Sequence, residues 1–318
     1  MRRFIALTIA LMMCLMIISG CDSSKNTSGT ASISNPFLGG TTGVLLDFQE
    51  GMPPKEVFDA GEYPFSVTLK VENRGEADIK KEDMAVSLTG IKASDFGLTD
   101  ADLSVNPSDK MTRRFKDANG NIIEGATEYV NFDNLNFKDT LAGNQEFTIR
   151  GEVCYNYQTK AVSKICITKN ILDTTYTKVC RVDESKTVYN SGAPVQISNF
   201  KELPRGKDKV QFTFDITHSS NSDLFKASSG CDYKFQNENK IFVTVDSGMT
   251  GLKCTGLTGG NGATTGEITL YNRKATVSCT QDASNVASDF EKIVNIQLDY
   301  ELKDYKETKV IVKHGVDE

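Results

Sequence analysis

Tyr63-Pro64-Phe65-Ser66-Val67-Thr68-Leu69-Lys70-Val71 carries Tyr, Phe, Val, Leu and Val at its odd positions, with Ser, Thr and Lys between them. A period of two over nine residues predicts a strand with one face buried and the other in water. Asn73-Arg74-Gly75 follows, and Asn and Gly tolerate positive φ at least cost, so the strand should end there in a turn. The pattern returns late in the chain. Val210, Phe212, Phe214 and Ile216 alternate with Gln211, Thr213 and Asp215, and the polar stretch from His218 to Asp223 takes the place of the turn.

The ends of the two stretches match as well. Tyr155 and Tyr157 precede Ile165 and Ile167 with the same spacing by which Tyr300 and Leu302 precede Val310 and Val312. An internal repeat of this kind implies two copies of one unit. No segment sustains a 3.6-residue apolar period over three turns, so both copies read as all-β. The expected architecture is two tandem immunoglobulin-like β-sandwiches, spanning residues 43–185 and 190–318, with the polar stretch Ser185 to Pro194 at their boundary. The first strand, its Asn73-Arg74-Gly75 turn and Glu76-Ala77-Asp78-Ile79 resemble the CARDB-like adhesion modules of prokaryotic surface proteins. In the second copy the turn reads His218-Ser219-Ser220-Asn221, a departure from that family's Asn-x-Gly. The resemblance implies binding or structural roles and no catalytic mechanism.

Upstream of the sandwiches lie two segments of different character. Met1-Arg2-Arg3 opens an apolar run from Phe4 to Ile18, broken only by Thr8, that leads to Ser19-Gly20-Cys21. This is the layout of a signal peptide over residues 1–20, shorter than the roughly 20 apolar residues of a membrane span. Ile18-Ser19-Gly20-Cys21 resembles the lipobox of prokaryotic lipoproteins, which implies a diacylglyceryl group on Cys21 and a protein held on the extracytoplasmic face of a membrane. Paired with the sandwich modules, it resembles uncharacterised archaeal surface lipoproteins. Residues 21–42 are rich in Ser, Thr, Gly and Asn and read as a flexible linker, roughly 25 Å from end to end.

The formal net charge of −6 becomes more acidic once Arg2 and Arg3 leave with residues 1–20, which argues against nucleic acid as a partner. Six cysteines follow Cys21, an even number that in an exported chain indicates disulfides. If Val153 to Ile167 is one strand, Cys154 and Cys166 stand roughly 40 Å apart and do not pair. Cys166 with Cys180 and Cys254 with Cys279 are the expected bridges; Cys154 and Cys231 are left either joined or free. Without a C-x-x-C, zinc is disfavoured.

Asp117-Ala118-Asn119-Gly120-Asn121 with Glu128 at the twelfth position looks like a calcium loop, but Ile122 stands where the sharp turn needs glycine. Asn119-Gly120 is equally a hairpin signal, and a hairpin is the expectation, with Asp117, Asn119, Asn121 and Glu128 as weak calcium candidates and no other cofactor. Asp95, Asp100, Asp102 and Asp109 form a second acidic group, read as solvated loop charges. The only histidines, His218 and His314, lie in no catalytic motif, and no G-x-S-x-G or H-E-x-x-H occurs. Phe96, Phe115 and Tyr233 suit a core as well as an interface. The resulting expectation is a non-enzymatic surface module whose partner is a protein or the cell envelope. A lipid-anchored hydrolase with a carboxylate site and a subunit of a surface assembly are the alternatives.

Overall fold

Every odd residue from Ile149 to Ile167 is buried, so nothing in this stretch ends a strand. In the computed structural model, which describes residues 34–171 and 179–315, it is part of one strand, Gln145–Ile167. Its 23 residues reach about 75 Å, where a sandwich strand is commonly about 5–6 residues long. A second long strand, Phe290–Lys313, buries its even residues from Val294 to Leu302 and again at Val310 and Val312. The two pair antiparallel along their whole length, from Phe290 opposite Ile167 to Val312 opposite Gln145, with Tyr157 opposite Tyr300 near the centre.

This two-stranded spine carries the rest of an all-β fold, in which short 3-10 turns are the only helical elements among the described residues. Met84–Thr89 pairs with the free edge of the first long strand, and Lys240–Asp246 with that of the second. Two further sheets pack on the spine. One is three-stranded, with Phe65–Asn73 between Val44–Phe48 and Thr127–Leu135. The other centres on Lys209–His218, flanked by Val195–Pro204 and Lys274–Asp282, with Glu184–Ser185 and Lys253–Thr255 at its edges. The two alternating stretches noted in the sequence are therefore the central strands of equivalent sheets.

Each long strand serves both sheets. Early in the first strand, Gly151 packs so closely on Leu69 of the three-stranded sheet that an added Cβ would lie 2.6 Å from its Cδ2. Further along, Thr159 Oγ1 donates to Val195 O at 2.7 Å and Cys166 N donates to Glu202 Oε1 at 2.7 Å, both in the five-stranded sheet. The second long strand crosses the other way, ending in a parallel pairing of Ile311–Lys313 with Glu56–Phe58. Residues 43–185 and 190–318 consequently do not part into two bodies in series; Ser34–Glu318 forms one compact unit. The reason is strand length, since 23 residues span two sandwiches side by side.

The linker expected over residues 21–42 also ends earlier than its composition implies. Leu38 N and Gly39 N donate to the Glu76 carboxylate at 3.0 and 2.8 Å, and Gly40 O accepts from Ala193 N. A carboxylate with two backbone donors to satisfy holds this small, polar segment to the body. The expected signal peptide over residues 1–20, Cys21 and the part of the expected linker up to residue 33 lie outside the described residues.

Glu202 is an ionisable group buried inside the five-stranded sheet. Its strand bulges between Ser198 and Lys201, which shifts the inward register so that Phe200 and Glu202 are buried. One oxygen accepts from Cys166 N, and the other lies 3.4 Å from Lys186 Nζ. Burial pushes its pKa up to about 8, against the partial compensation of Lys186 and the Cys166 amide.

Two consequences are measurable. An alanine at Gly75 would place Cβ 1.8 Å from the Tyr157 hydroxyl, 2.6 Å from Gly192 O and 2.8 Å from Thr42 O, so Gly75→Ala should cost about 3 kcal/mol in urea unfolding. Glu202 retains in the folded state a proton that the unfolded chain releases near the ordinary glutamate value of 4.5. Its contribution is thus complete below that pH and is lost as pH rises toward 8, by roughly 4 kcal/mol. Glu202→Gln should flatten the fall in thermal stability between pH 5 and pH 8, and an unchanged slope would mean Glu202 is ionised throughout.

Candidate functional site

Three segments meet over the centre of the spine: residues 38–44, the turn 73–77 and residues 190–195. Beneath them lie Tyr155, Tyr157 and Tyr300, all buried, and each hydroxyl is spoken for. Tyr155 accepts from Val44 N at 3.2 Å and donates to Asp304 Oδ2 at 3.3 Å. Tyr157 accepts from Ala77 N and donates to Gly192 O. The Tyr300 hydroxyl lies 2.8 Å from Thr159 Oγ1; because Thr159 gives its own proton to Val195 O, Tyr300 is the donor. Burial raises the pKa of all three phenols, so they act as fixed hydrogen-bonding groups rather than as acids.

Glu76 closes the junction from above. Its carboxylate accepts from Leu38 N, Gly39 N and Gly192 N, the last at 2.7 Å, and so ties the incoming chain to the second half of the molecule. Asn73 shapes the turn below it: Nδ2 donates to Ala77 O and Met111 O, and Oδ1 accepts from Gly75 N. Asp59 does the same work at the far end of the first sandwich, accepting from Gly315 N, Leu141 N and His314 Nδ1. These bonds, with the Gly315 amide foremost, hold its pKa down to about 2.

Asp304 is the carboxyl with a pKa nearest a general acid's range. Burial raises it to about 6, opposed by the Tyr155 hydrogen bond. It follows Tyr300 and Leu302 at the next inward position of the strand. A carboxylate in inward register is a signal present in the sequence, and spacing to Tyr300 and Leu302 would have found it. Glu76 had no such signal, because its three donors come from distant segments.

His218 supplies the one Ser-His arrangement noted among the described residues. Its Nε2 lies 2.9 Å from Ser220 Oγ and 3.1 Å from Ser222 Oγ, beside a small cavity of about 130 Å³ that Asp223, Tyr233 and Arg273 also line. Arg273 stands 3.2 Å from Nδ1, and a guanidinium only donates. Nδ1 is therefore the acceptor and Nε2 carries the proton. The imidazole donates to the serines and has no lone pair with which to take their protons, the reverse of what a nucleophilic serine needs. Burial, reinforced by Arg273, pushes its pKa down to about 4.

A wider hollow of about 260 Å³ lies over the outer side of the spine, lined by Asp78, Asp83, Asn156, Gln158, Ser228 and Asp299. Its carboxylates are engaged. Asp299 accepts from Gln158 and Gln297, Asp83 from Asn156, and Asp78 from Lys110 Nζ and Arg113 N, which with the neighbouring cations outweigh burial and lower its pKa.

The calcium candidates divide. Asp117 Oδ1 accepts from Asn119 N at 2.9 Å and Asn121 N at 2.8 Å inside a two-stranded hairpin, while Glu128 sits on the strand Thr127–Leu135 and accepts from Ser108 N. Of the second acidic group, Asp102 closes a capping box with Thr99, Asp95 pairs with Lys92, and Asp109 accepts from Lys110 N. Phe96 is in the core against Phe65, Phe137 and Phe147, whereas Phe115 and Tyr233 are exposed. The cysteines form three bridges: Cys154 to Cys231, Cys166 to Cys180, and Cys254 to Cys279. Cys154 and Cys231, for which spacing left the choice open, are thus joined. Glu301 converges with that pair, accepting from Cys231 N at 2.7 Å, but both sulfurs are committed to each other.

No protein-family model matches the chain, and no curated protein does. Among solved structures, envelope protein VP37 from White Spot Syndrome Virus is similar over 46% of this chain and 97% of its own, at 8% identity and a TM-score of 0.25. The serine-rich repeat adhesion glycoprotein Srr1 from Streptococcus agalactiae is similar over 89% of this chain and 100% of its own, at 9% identity and a TM-score of 0.16. Likenesses of this size carry no argument about activity.

Proposed function

We propose that the chain is a lipoprotein held by Cys21 on the extracytoplasmic face of a membrane, where it acts as a non-enzymatic binding or structural module. The pairing of cysteines carries this reading. All six that follow Cys21 are joined to one another, a pattern suited to an oxidising compartment, and parity leaves Cys21 for a different chemistry. Lipidation is that chemistry in the lipobox Ile18-Ser19-Gly20-Cys21, and two acyl chains hold a protein where one holds it only marginally. The lipid supplies attachment, and the interlocked spine supplies a body long enough to present its loops away from the bilayer. CARDB-like modules, which the turn Asn73-Arg74-Gly75 resembles, suit the same role, with a protein or the cell envelope as partner.

Intact mass of the protein extracted from native membranes, with peptide mapping under non-reducing conditions, tests the proposal. The expected result is a diacylglyceryl adduct on an N-terminal Cys21 together with the three bridges. An unmodified N-terminus, or six free thiols, would overturn the assignment of compartment and with it the module.

A further inference from the structure

The sequence contains two Asn-Gly dipeptides, Asn119-Gly120 and Asn261-Gly262. Glycine has no Cβ to shield its amide nitrogen or to restrict its backbone, so that nitrogen can reach the side-chain carbon of the asparagine before it. All four residues are exposed, and access of water therefore does not tell the two sites apart. What holds each asparagine does.

Asn261 is built into its turn. Its Oδ1 accepts from Ala263 N at 3.0 Å and from Thr264 N and Thr265 N at 2.9 Å, while Nδ2 donates to Thr264 Oγ1 at 3.1 Å. Gly262 N, the nitrogen that would have to move, donates to Thr265 O. The turn runs directly into strand Thr265–Thr269 of the central sheet, and Ala263 O accepts from the amide of Cys254, which is bridged to Cys279. Freeing the Asn261 side chain breaks these bonds together.

Asn119 has no such hold. It sits at the tip of the hairpin formed by Phe115–Lys116 and Ile122–Ile123, whose strands pair only with each other. Its main-chain N–H donates to Asp117 Oδ1, but its side-chain amide makes no hydrogen bond among the described residues. Gly120 N donates to Asp117 O at 3.1 Å, a bond within the tip itself. A hairpin this short and without a third strand is marginal in water, so the tip opens locally at little cost and leaves the sheets undisturbed.

We infer that Asn119 is a site of self-modification, at which the folded chain converts asparagine to aspartate and isoaspartate through a cyclic imide while Asn261 stays intact. Gly120 N loses its proton to a base of the solvent and attacks Asn119 Cγ. The Cγ–Nδ2 bond breaks, and the side-chain nitrogen takes up a proton and leaves as ammonia. Water then opens the imide. Cleavage at Cγ gives aspartate, whereas cleavage at the main-chain carbonyl leaves the backbone running through Cγ as isoaspartate. The balance is water consumed and ammonia released, with no oxidant or reductant. Either product sets a new carboxylate beside that of Asp117, which accepts from Asn119 N and Asn121 N, and isoaspartate also lengthens the backbone of the turn.

The full-length protein with its disulfides intact is held for days in mildly alkaline buffer. Samples are digested at mildly acidic pH and mapped by mass, with isoaspartate counted by enzymatic methyl transfer. The same incubation in guanidinium chloride with the disulfides reduced gives the rate of each Asn-Gly in the unfolded chain. Folding should slow Asn119 by no more than about threefold and Asn261 by about tenfold or more, the difference in what local opening costs at the two sites. Asn119→Gln, whose longer side chain closes the ring slowly, should remove the modification at this position. Equal slowing at the two sites, or faster conversion at Asn261, overturns the assignment. So does an Asn119 that stays intact in the folded protein over a time in which the unfolded chain has converted.

Discussion

Antiparallel pairing of Gln145–Ile167 with Phe290–Lys313 is the constraint on which the remaining architecture depends. An exposed strand edge is a template for association, and a 23-residue edge would be an unusually long one. Each long strand covers the other's edge, so neither half of the chain completes its sheet alone. Five further strands of the central sheet attach directly to an outer edge of this ribbon, Met84–Thr89 and Tyr189–Asn190 to the first strand and Lys240–Asp246, Asp223–Phe225 and Glu56–Phe58 to the second. Ser104–Val105 and Thr265–Thr269 extend the sheet by pairing with Met84–Thr89 and Lys240–Asp246.

Crossing two sandwiches on one spine creates a seam where the two covering sheets end, and chain turns there expose backbone donors that no sheet satisfies. The molecule fills the seam with side chains. Three tyrosines bring aromatic bulk and a hydroxyl each, and Glu76 gathers three amides from two segments. Glu202 is a less satisfied version of the same device: one amide, one lysine at 3.4 Å and a carboxyl displaced to about 8. Buried polar groups that are fully paired specify one arrangement, and those that are partly paired cost stability when charged.

Strands were readable from residues 63–71 and 210–216 because burial on a pleated surface has a period of two that needs no partner to be visible. The repeat was readable for the same reason, since equivalent inward positions recur at Tyr155, Tyr157, Tyr300 and Leu302. What could not be read was which edges meet. Tandem units invite the picture of beads in series, whereas the pairing of Tyr157 with Tyr300 is a contact across 143 residues that no local pattern encodes. The polar clamps were hidden for a related reason. Glu76 looks like any exposed glutamate until Leu38, Gly39 and Gly192 arrive around it. Asp304 and Glu202 differ: the first stands in inward register with Tyr300, and the second does so only after a bulge that has no residue signature of its own.

The distribution of cysteines follows from the same architecture. Between residues 34 and 144 there are none, whereas the six of the folded body begin at Cys154 on the spine. The first sandwich connects its strands through short turns and 3-10 segments, and hydrogen bonds such as those of Asn73 and Asp59 hold them. In the second half, the irregular segment 226–239 and the stretch 247–264, which holds the short strand Lys253–Thr255, are each fastened covalently. Cys231 secures the first of these to the spine at Cys154, closing a separation of 77 residues, worth about 4.5 kcal/mol in the chain-entropy model. Cys254 fastens the second to Cys279 directly across a strand pair, and Cys180 returns the chain to the end of the first long strand at Cys166. The links through Cys231 and Cys180 therefore fasten segments that lie outside the strand ladders, whereas Cys254–Cys279 reinforces a pairing that the backbone already makes.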